Sequence, residues 1–179
     1  MTRKQAPEAT PAYLERSGLR YLERFAASSE KVKQLLMRKV KQSAEAHGTD
    51  LQEGARTVER LVQRFTELGL IRDRDLAVAR AERLHQKGAS RRMISAKLGA
   101  LGLEQTHIEA ALGEVDAHAE GDSELEAAWA LARRKRLGPY RDEGKRKEFR
   151  MKDLGAMARG GFSYGVAHRV IDADAIPER

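Results

Sequence analysis

Between Arg133 and Lys152 the sequence packs ten cations: Arg133, Arg134, Lys135, Arg136, Arg141, Lys145, Arg146, Lys147, Arg150 and Lys152. Only Asp142, Glu143 and Glu148 oppose them, so this one segment carries the whole formal excess of the chain, +7. Cations at that density repel one another unless an anion neutralises them, which points to a polyanion or an acidic protein surface as partner. Arginine suits bidentate contact with carboxylate or phosphate. Lys145 and Lys152 are seven residues apart and share a helix face, with Phe149 between them. Arg91 and Arg92 form a smaller pair upstream. The candidate partner-binding set is Arg91, Arg92, Arg133, Arg134, Lys135, Arg136, Lys145, Arg146, Lys147, Arg150 and Lys152, and the bland alternative for it is a solvated helix face.

Other chemistry is not supported. The chain has no cysteine, which excludes disulfides, thiolate nucleophiles and zinc–thiolate sites and fits a reducing compartment. His47, His85, His107, His118 and His168 lack the spacing of a helical metal pair, so no metal is expected. Ser28-Ser29 has no nucleophile-elbow glycines, and no phosphate-cradling glycine loop follows a strand. Glu124 and Glu126 suit the first turn of a helix better than acid–base work. The expectation is a binding protein, not an enzyme, with no cofactor. Residues Met1 to Pro11 lack an apolar leader core, and no apolar run nears the ~20 residues that span a bilayer. A cytoplasmic protein without membrane contact follows.

Elements that could position the cations are all helical. Hydrophobic residues make up 41% of the 179, enough for a core, and apolar periodicity near 3.6 recurs between caps with no alternating strand pattern. A tail over 1–10 precedes a helix from Pro11 that places Leu14, Gly18, Tyr21, Leu22 and Phe25 on one face. Ser28 or Ser29 caps a helix with Val32, Leu35, Leu36 and Val40 inward, broken at His47-Gly48. Thr49-Asp50-Leu51-Gln52 reads as a capping box before the stripe Val58, Leu61, Val62, Phe65 and Leu68. Asp73 or Asp75 caps the next helix, with Leu76, Ala77, Ala81 and Leu84 apolar. Ser90 caps another, with Met93, Ile94, Leu98 and Leu101, and a further helix covers about Thr106 to His118. Ser123-Glu124-Leu125-Glu126 is a second capping box, opening a helix that buries Leu125, Ala128, Trp129 and Ala132 until Leu137-Gly138-Pro139. Helix resumes over about Lys145 to Ala158, and Ser163 caps the last one, with Val166, Val170 and Ile171 inward. Gly69, Gly88, Gly102 and Gly161 read as helix stops, and residues 174–179 as a frayed end.

An internal repeat is visible. Aligning Gly102-Leu103 with Gly161-Phe162 pairs Ile108 with Ala167, Ala111 with Val170, Leu112 with Ile171 and Leu98 with Met157. A second slide pairs Val32 and Leu36 with Val166 and Val170.

Three motifs then stand in a meaningful order. Gly69-Leu70-Ile71-Arg72-Asp73 with Leu76-Ala77, Lys87-Gly88-Ala89-Ser90 leading to Leu98, Leu101, Gly102 and Leu103, and Arg159-Gly160-Gly161-Phe162-Ser163 resemble, in sequence, the signatures of the RecX family. Tyr21-Leu22-Glu23-Arg24 through Ser29, Val32, Leu36 and Lys39 fit more loosely, and the resemblance spans about residues 12–173. Gly160 and Leu76 depart from it, where arginine and phenylalanine are common. The resemblance implies an all-α fold of three tandem three-helix modules in an elongated, curved arrangement: modules at 11–50, 51–120 and 121–179 after the 1–10 tail. It also implies binding to RecA recombinase filaments and inhibition of their ATP hydrolysis and strand exchange. A monomer is expected, with room for weak non-specific DNA contact that helps recruitment. The alternative is a helical DNA-binding protein, such as a helix-turn-helix regulator. Against it, the Arg91-Arg92 helix lacks a base-reading cluster.

Overall fold

The computed structural model describes residues 6–177. Among them it is all-helical, with nine α-helices, one 3-10 turn and no strand. The helices are α1 (Pro11–Leu22), α2 (Ser29–His47), α3 (Leu51–Glu67), α4 (Asp73–Gln86), α5 (Arg91–Gly99), α6 (Gln105–His118), α7 (Ser123–Lys135), α8 (Glu143–Arg159) and α9 (Tyr164–Ile171), with the 3-10 turn at Gly138–Tyr140. The predicted 1–10 tail and 174–179 end fall partly outside the described residues. Within them, the Ala9 amide donates to Ser43 Oγ and His47 Nε2 lies 2.6 Å from the Ala6 carbonyl. The chain forms two compact units, residues up to Leu76 with Leu101–Leu103, and Ala77–Ala100 with residues from Glu104 onward. The first is built on Leu14, Val32, Leu36, Val58 and Phe65. The second packs small residues of α7 (Ala127, Ala128, Ala132) against Met157, Val170 and Ile171.

Predicted caps are found at Ser28, Ser90 and Ser163, each accepting an amide of its first turn. Three others move. The α3 cap is Asp50, not Thr49: its carboxylate accepts from the Gln52 and Glu53 amides, while the Thr49 hydroxyl donates to Ser43. The α7 cap is Asp122, not Ser123, whose hydroxyl donates to Asp116 at 2.6 Å. Asp73 begins α4 instead of capping it, and its carboxylate accepts from the Ser29 amide at 2.9 Å and hydroxyl at 2.5 Å, so it closes the N-terminus of α2. Phe25 and Leu68, predicted on buried stripes, lie just past the ends of α1 and α3 and are exposed. Trp129 is partly buried, edge-on to Tyr140 at 6.2 Å.

One joint is built twice. Ser28, capping α2, donates its hydroxyl to the Leu101 carbonyl at 2.5 Å, and Ser90, capping α5, donates to the Gly160 carbonyl at 2.7 Å. Each acceptor immediately precedes a glycine at positive φ, Gly102 (+74°) or Gly161 (+89°). A Cβ on Gly102 would come within 2.5 Å of the Glu30 side chain, and one on Gly161 would strike the Ser90 hydroxyl. Glycine therefore serves both the left-handed turn and the close approach. The pairs from the first sequence alignment are matched in burial: Ile108 with Ala167, Ala111 with Val170, Leu112 with Ile171 and Leu98 with Met157 are all buried. The second slide is not supported, because the serine caps put Val32 and Leu36 level with Ile94 and Leu98.

Candidate partner-binding surface

α7 ends where the basic segment begins. Arg133, Arg134 and Lys135 occupy its last turn and are exposed, where the free helix carbonyls favour positive charge. Arg136 is the one non-glycine residue at positive φ among those described, at 54°. Its left-handed backbone costs about 1–2 kcal/mol, and it is held by the Leu137 amide reaching back to the Ala132 carbonyl at 2.9 Å and by burial of the Leu137 side chain. Arg136 itself points into solvent. Arg133 also lines a cleft of about 760 Å3 with Glu126, Trp129 and Tyr140.

α8 divides its cations between engaged and solvent-exposed ones. Leu154 and Met157 fix the buried stripe, and counting back by turns puts Arg146 and Arg150 at its margin. Both are engaged. Arg146 donates to the Arg141 carbonyl at 3.2 Å and the Pro139 carbonyl at 2.9 Å, fastening the 3-10 turn. Arg150 grips Asp172 with two bonds of 2.6 Å, tying α8 to the end of α9. Lys145, Lys147 and Lys152 are exposed, and Lys152 Nζ sits 5.4 Å from the Phe149 ring centre.

Arg141 belongs to a site that sequence reasoning missed. Its guanidinium makes two bonds to Asp153, at 3.1 and 2.7 Å, and lies 4.4 Å from the Phe149 ring centre. Asp153 is 1% exposed and also accepts the Gly138 amide at 3.0 Å. The hydrogen bond to Asp153 raises the Arg141 pKa, against the effect of burial. The signal was present: Asp153 lies beside Leu154 on the inward stripe, and a buried carboxylate demands a partner.

Of the upstream pair, Arg91 is committed and Arg92 is not. Arg91 bridges Asp116, and its amide donates to Glu124 at 2.8 Å. Burial disfavours the Asp116 carboxylate, but the Ser123 hydroxyl and Arg91 together hold its pKa below the ordinary value. Arg92 is exposed at the start of α5. Within the candidate set, the cations exposed and without a salt-bridge or hydrogen-bond partner among the described residues are thus Arg92, Arg133, Arg134, Lys135, Arg136, Lys145, Lys147 and Lys152.

The Arg150–Asp172 pair sets an acid limit. Arg150 lowers the Asp172 pKa from 3.8, partly opposed by burial and aided by His168. A depressed folded-state pKa contributes stability above the unfolded value and loses it as pH falls through the folded one. The melting-temperature gap between the parent and Asp172→Asn is therefore expected to hold steady near pH 5 and to shrink below the ordinary carboxylate value. A gap unchanged down to pH 2.5 would exclude this linkage.

No helix of the described residues is long and apolar enough to cross a membrane, and no group of three metal-ligating side chains occurs among them. No family model matches the sequence, and no solved structure matches it. Curated relatives do. The chain is 37% identical over 172 residues to a Myxococcus xanthus protein named Regulatory protein RecX, covering 96% of this chain and 90% of that one. Proteins of the same name from Mycobacterium marinum (33% identity, 68% of each chain) and Streptomyces coelicolor (34% identity, 63% of this chain and 57% of that one) also match. With more than a third of positions identical along nearly the whole of both chains in the first of these matches, the protein belongs to the RecX family.

Proposed function

We propose that this protein is a regulator of the RecA recombinase that binds RecA filaments and slows their ATP hydrolysis and strand exchange. The observation that carries the reading is the set of exposed, uncommitted cations in a member of a family whose relatives are named regulatory proteins. Arg133, Arg134, Lys135 and Arg136 at the end of α7, with Lys145, Lys147 and Lys152 on α8, are exposed charges suited to acidic protein faces. Arg92 is a smaller, separate contact. Arg146, Arg150 and Arg91 support the scaffold instead. The working form is a cytoplasmic monomer of three helical modules, 11–50, 51–120 and 121–179, whose several surfaces engage a filament better than one pocket would. Direct DNA binding is weak and non-specific, and it helps recruitment.

The test is the DNA-dependent ATP hydrolysis of cognate RecA with and without this protein. Hydrolysis is expected to slow at protein concentrations well below that of RecA. Unchanged turnover at equimolar protein and low salt would sink the assignment. Inhibition relieved fully by excess single-stranded DNA would favour sequestration of DNA, the alternative reading.

A further inference from the structure

The first unit carries a second group of cations, different in kind because aromatic rings are interleaved with them. Tyr13, Ser17, Arg20 and Tyr21 of α1, Arg24 and Phe25 just beyond it, and Leu35 and Lys39 of α2 line a cleft of about 250 Å3. The cleft borders the core face of α1: Tyr21, seven residues after Leu14, packs partly against the core, while Tyr13, Ser17 and Arg20 lie to one side of Leu14 and Gly18. The Tyr21 and Phe25 rings lie 5.2 Å apart, centre to centre, and the Arg24 guanidinium is 5.7 Å from the Phe25 ring centre. Lys39 Nζ stands 4.9 Å from the Tyr13 ring centre and donates to the Tyr13 hydroxyl at 3.1 Å. Phe25 is 51% exposed, in a chain with only four phenylalanines, four tyrosines and one tryptophan.

Charge decides what suits the cleft. No carboxylate lines it. Of the nearby acids, Glu15 is engaged by Arg64 and Glu30 by Gln34, while exposed Glu23 follows Arg20 by three residues at the rim and lines no part of the cleft. Exposed Lys31 extends the positive track one turn before Leu35 on α2, and exposed Arg16 stands between Tyr13 and Arg20 on α1. The occupant must therefore bring negative charge and flat apolar faces together. An acidic protein surface supplies the charge without a series of planar faces, and a duplex keeps its base faces inside the stack. A single strand offers both, a phosphate and an unstacked base at every nucleotide.

We propose that this cleft is a binding site for single-stranded nucleic acid, in which a base stacks on Phe25 and Tyr21 while Arg20, Arg24 and Lys39 hold the flanking phosphates. The site lies in the first unit and does not depend on the reading of the basic segment in the second.

The test uses the full chain without RecA, at low salt, and fluorescence anisotropy with a labelled oligothymidine of about 20 nucleotides and an abasic strand of equal length. The parent is expected to bind the thymidine strand roughly tenfold more tightly than the abasic one, the scale of a base–aromatic stack. Phe25→Ala and Phe25→Leu should both erase that preference. The leucine variant keeps apolar bulk, so its failure to discriminate reports the ring, with circular dichroism confirming the helices. Arg20→Gln with Arg24→Gln should weaken binding to both strands and flatten the salt dependence by about 0.7 log units for each phosphate interaction removed. A strand carrying 5-iododeoxyuridine should photocrosslink to Tyr21 or Phe25. The proposal is overturned if the parent does not bind the thymidine strand, if it binds both strands equally, if the preference survives in the Phe25 variants, or if crosslinks fall only between Arg133 and Lys152. It is equally overturned if a glutamate-rich peptide displaces the strand and binds more tightly, which would give the cleft to an acidic protein.

Discussion

Asp153→Ala is expected to destabilise the second unit by about 2–4 kcal/mol. Removing one partner of a buried ion pair costs about 3–5 kcal/mol, since the other charge is left without compensation. Here the survivors are the Gly138 amide and the Arg141 guanidinium. Arg141 keeps 23% side-chain exposure and can turn partly to water, which trims the figure. Asp153→Asn retains an acceptor for Gly138 and loses only the charge, so about 1–2 kcal/mol is expected. The double variant Asp153→Leu with Arg141→Leu should recover much of the loss, because an apolar pair of similar volume often replaces a buried ion pair without cost. Trp129, the single tryptophan, packs against this core and reports urea unfolding by fluorescence. An alanine variant within 1 kcal/mol of the parent would show that the pair does not hold the 3-10 turn in place.

The position of Asp153 also explains why part of the chain was legible and part was not. The serine caps set Val32 of α2 level with Ile94 of α5, and the matched burial of Leu98 and Met157 sets Ile94 level with Asp153 of α8. A carboxylate thus occupies a place where the pattern expects an aliphatic residue, and its partners arrive from the loop before α8. Periodicity could identify the inward face but not the tertiary partner. The same limit appears at Asp73, whose Ser29 partner lies 44 residues away in sequence. Two cap assignments slipped by one residue for a local reason. Asp50 and Asp122 each stand beside a hydroxyl residue, and a carboxylate accepting two amides outcompetes a neutral hydroxyl; Thr49 and Ser123 then donate elsewhere. Phe25 and Leu68 were misplaced because a stripe was extended beyond the helix that gave it meaning. In the basic segment, density of charge singled out the candidate cations, while division between scaffold and solvent required the register of α8. Arg146 and Arg150 fall eleven and seven residues before Met157, at the margin of the inward stripe, where the Arg141 and Pro139 carbonyls and Asp172 meet them.

That division decides which cations a functional test should touch. Neutralising Arg133, Arg134, Lys135 and Lys147 with glutamine is expected to raise the protein concentration needed to inhibit RecA ATP hydrolysis about tenfold at low salt. Exposed charge pairs are worth about 0.2–1 kcal/mol each, and 1.4 kcal/mol is tenfold in affinity. The four changes take the formal net charge from +7 to +3. Arg150 is excluded because its loss would free α9 from α8, and Arg136 because its backbone is left-handed. Glutamate at the same four positions, taking the charge to −1, should weaken inhibition further, since like charges then face an acidic partner. It should also cost more stability, because Arg133, Arg134 and Lys135 face the carbonyl end of α7, where each favourable charge is worth about 0.3–1 kcal/mol. The glutamine variant therefore carries the inference, with its melting temperature as control. Salt gives a second reading of the same surface: as the screening length falls, parent and variant should converge, since the charges neutralised are exposed ones. Arg146→Gln and Arg150→Gln should do the reverse, lowering the melting temperature more than the inhibitory potency. If the quadruple glutamine variant melts with the parent and inhibits RecA equally well at low salt, these cations form a solvated face. The surface that meets RecA would then have to be sought elsewhere, beginning with Arg92 at the start of α5.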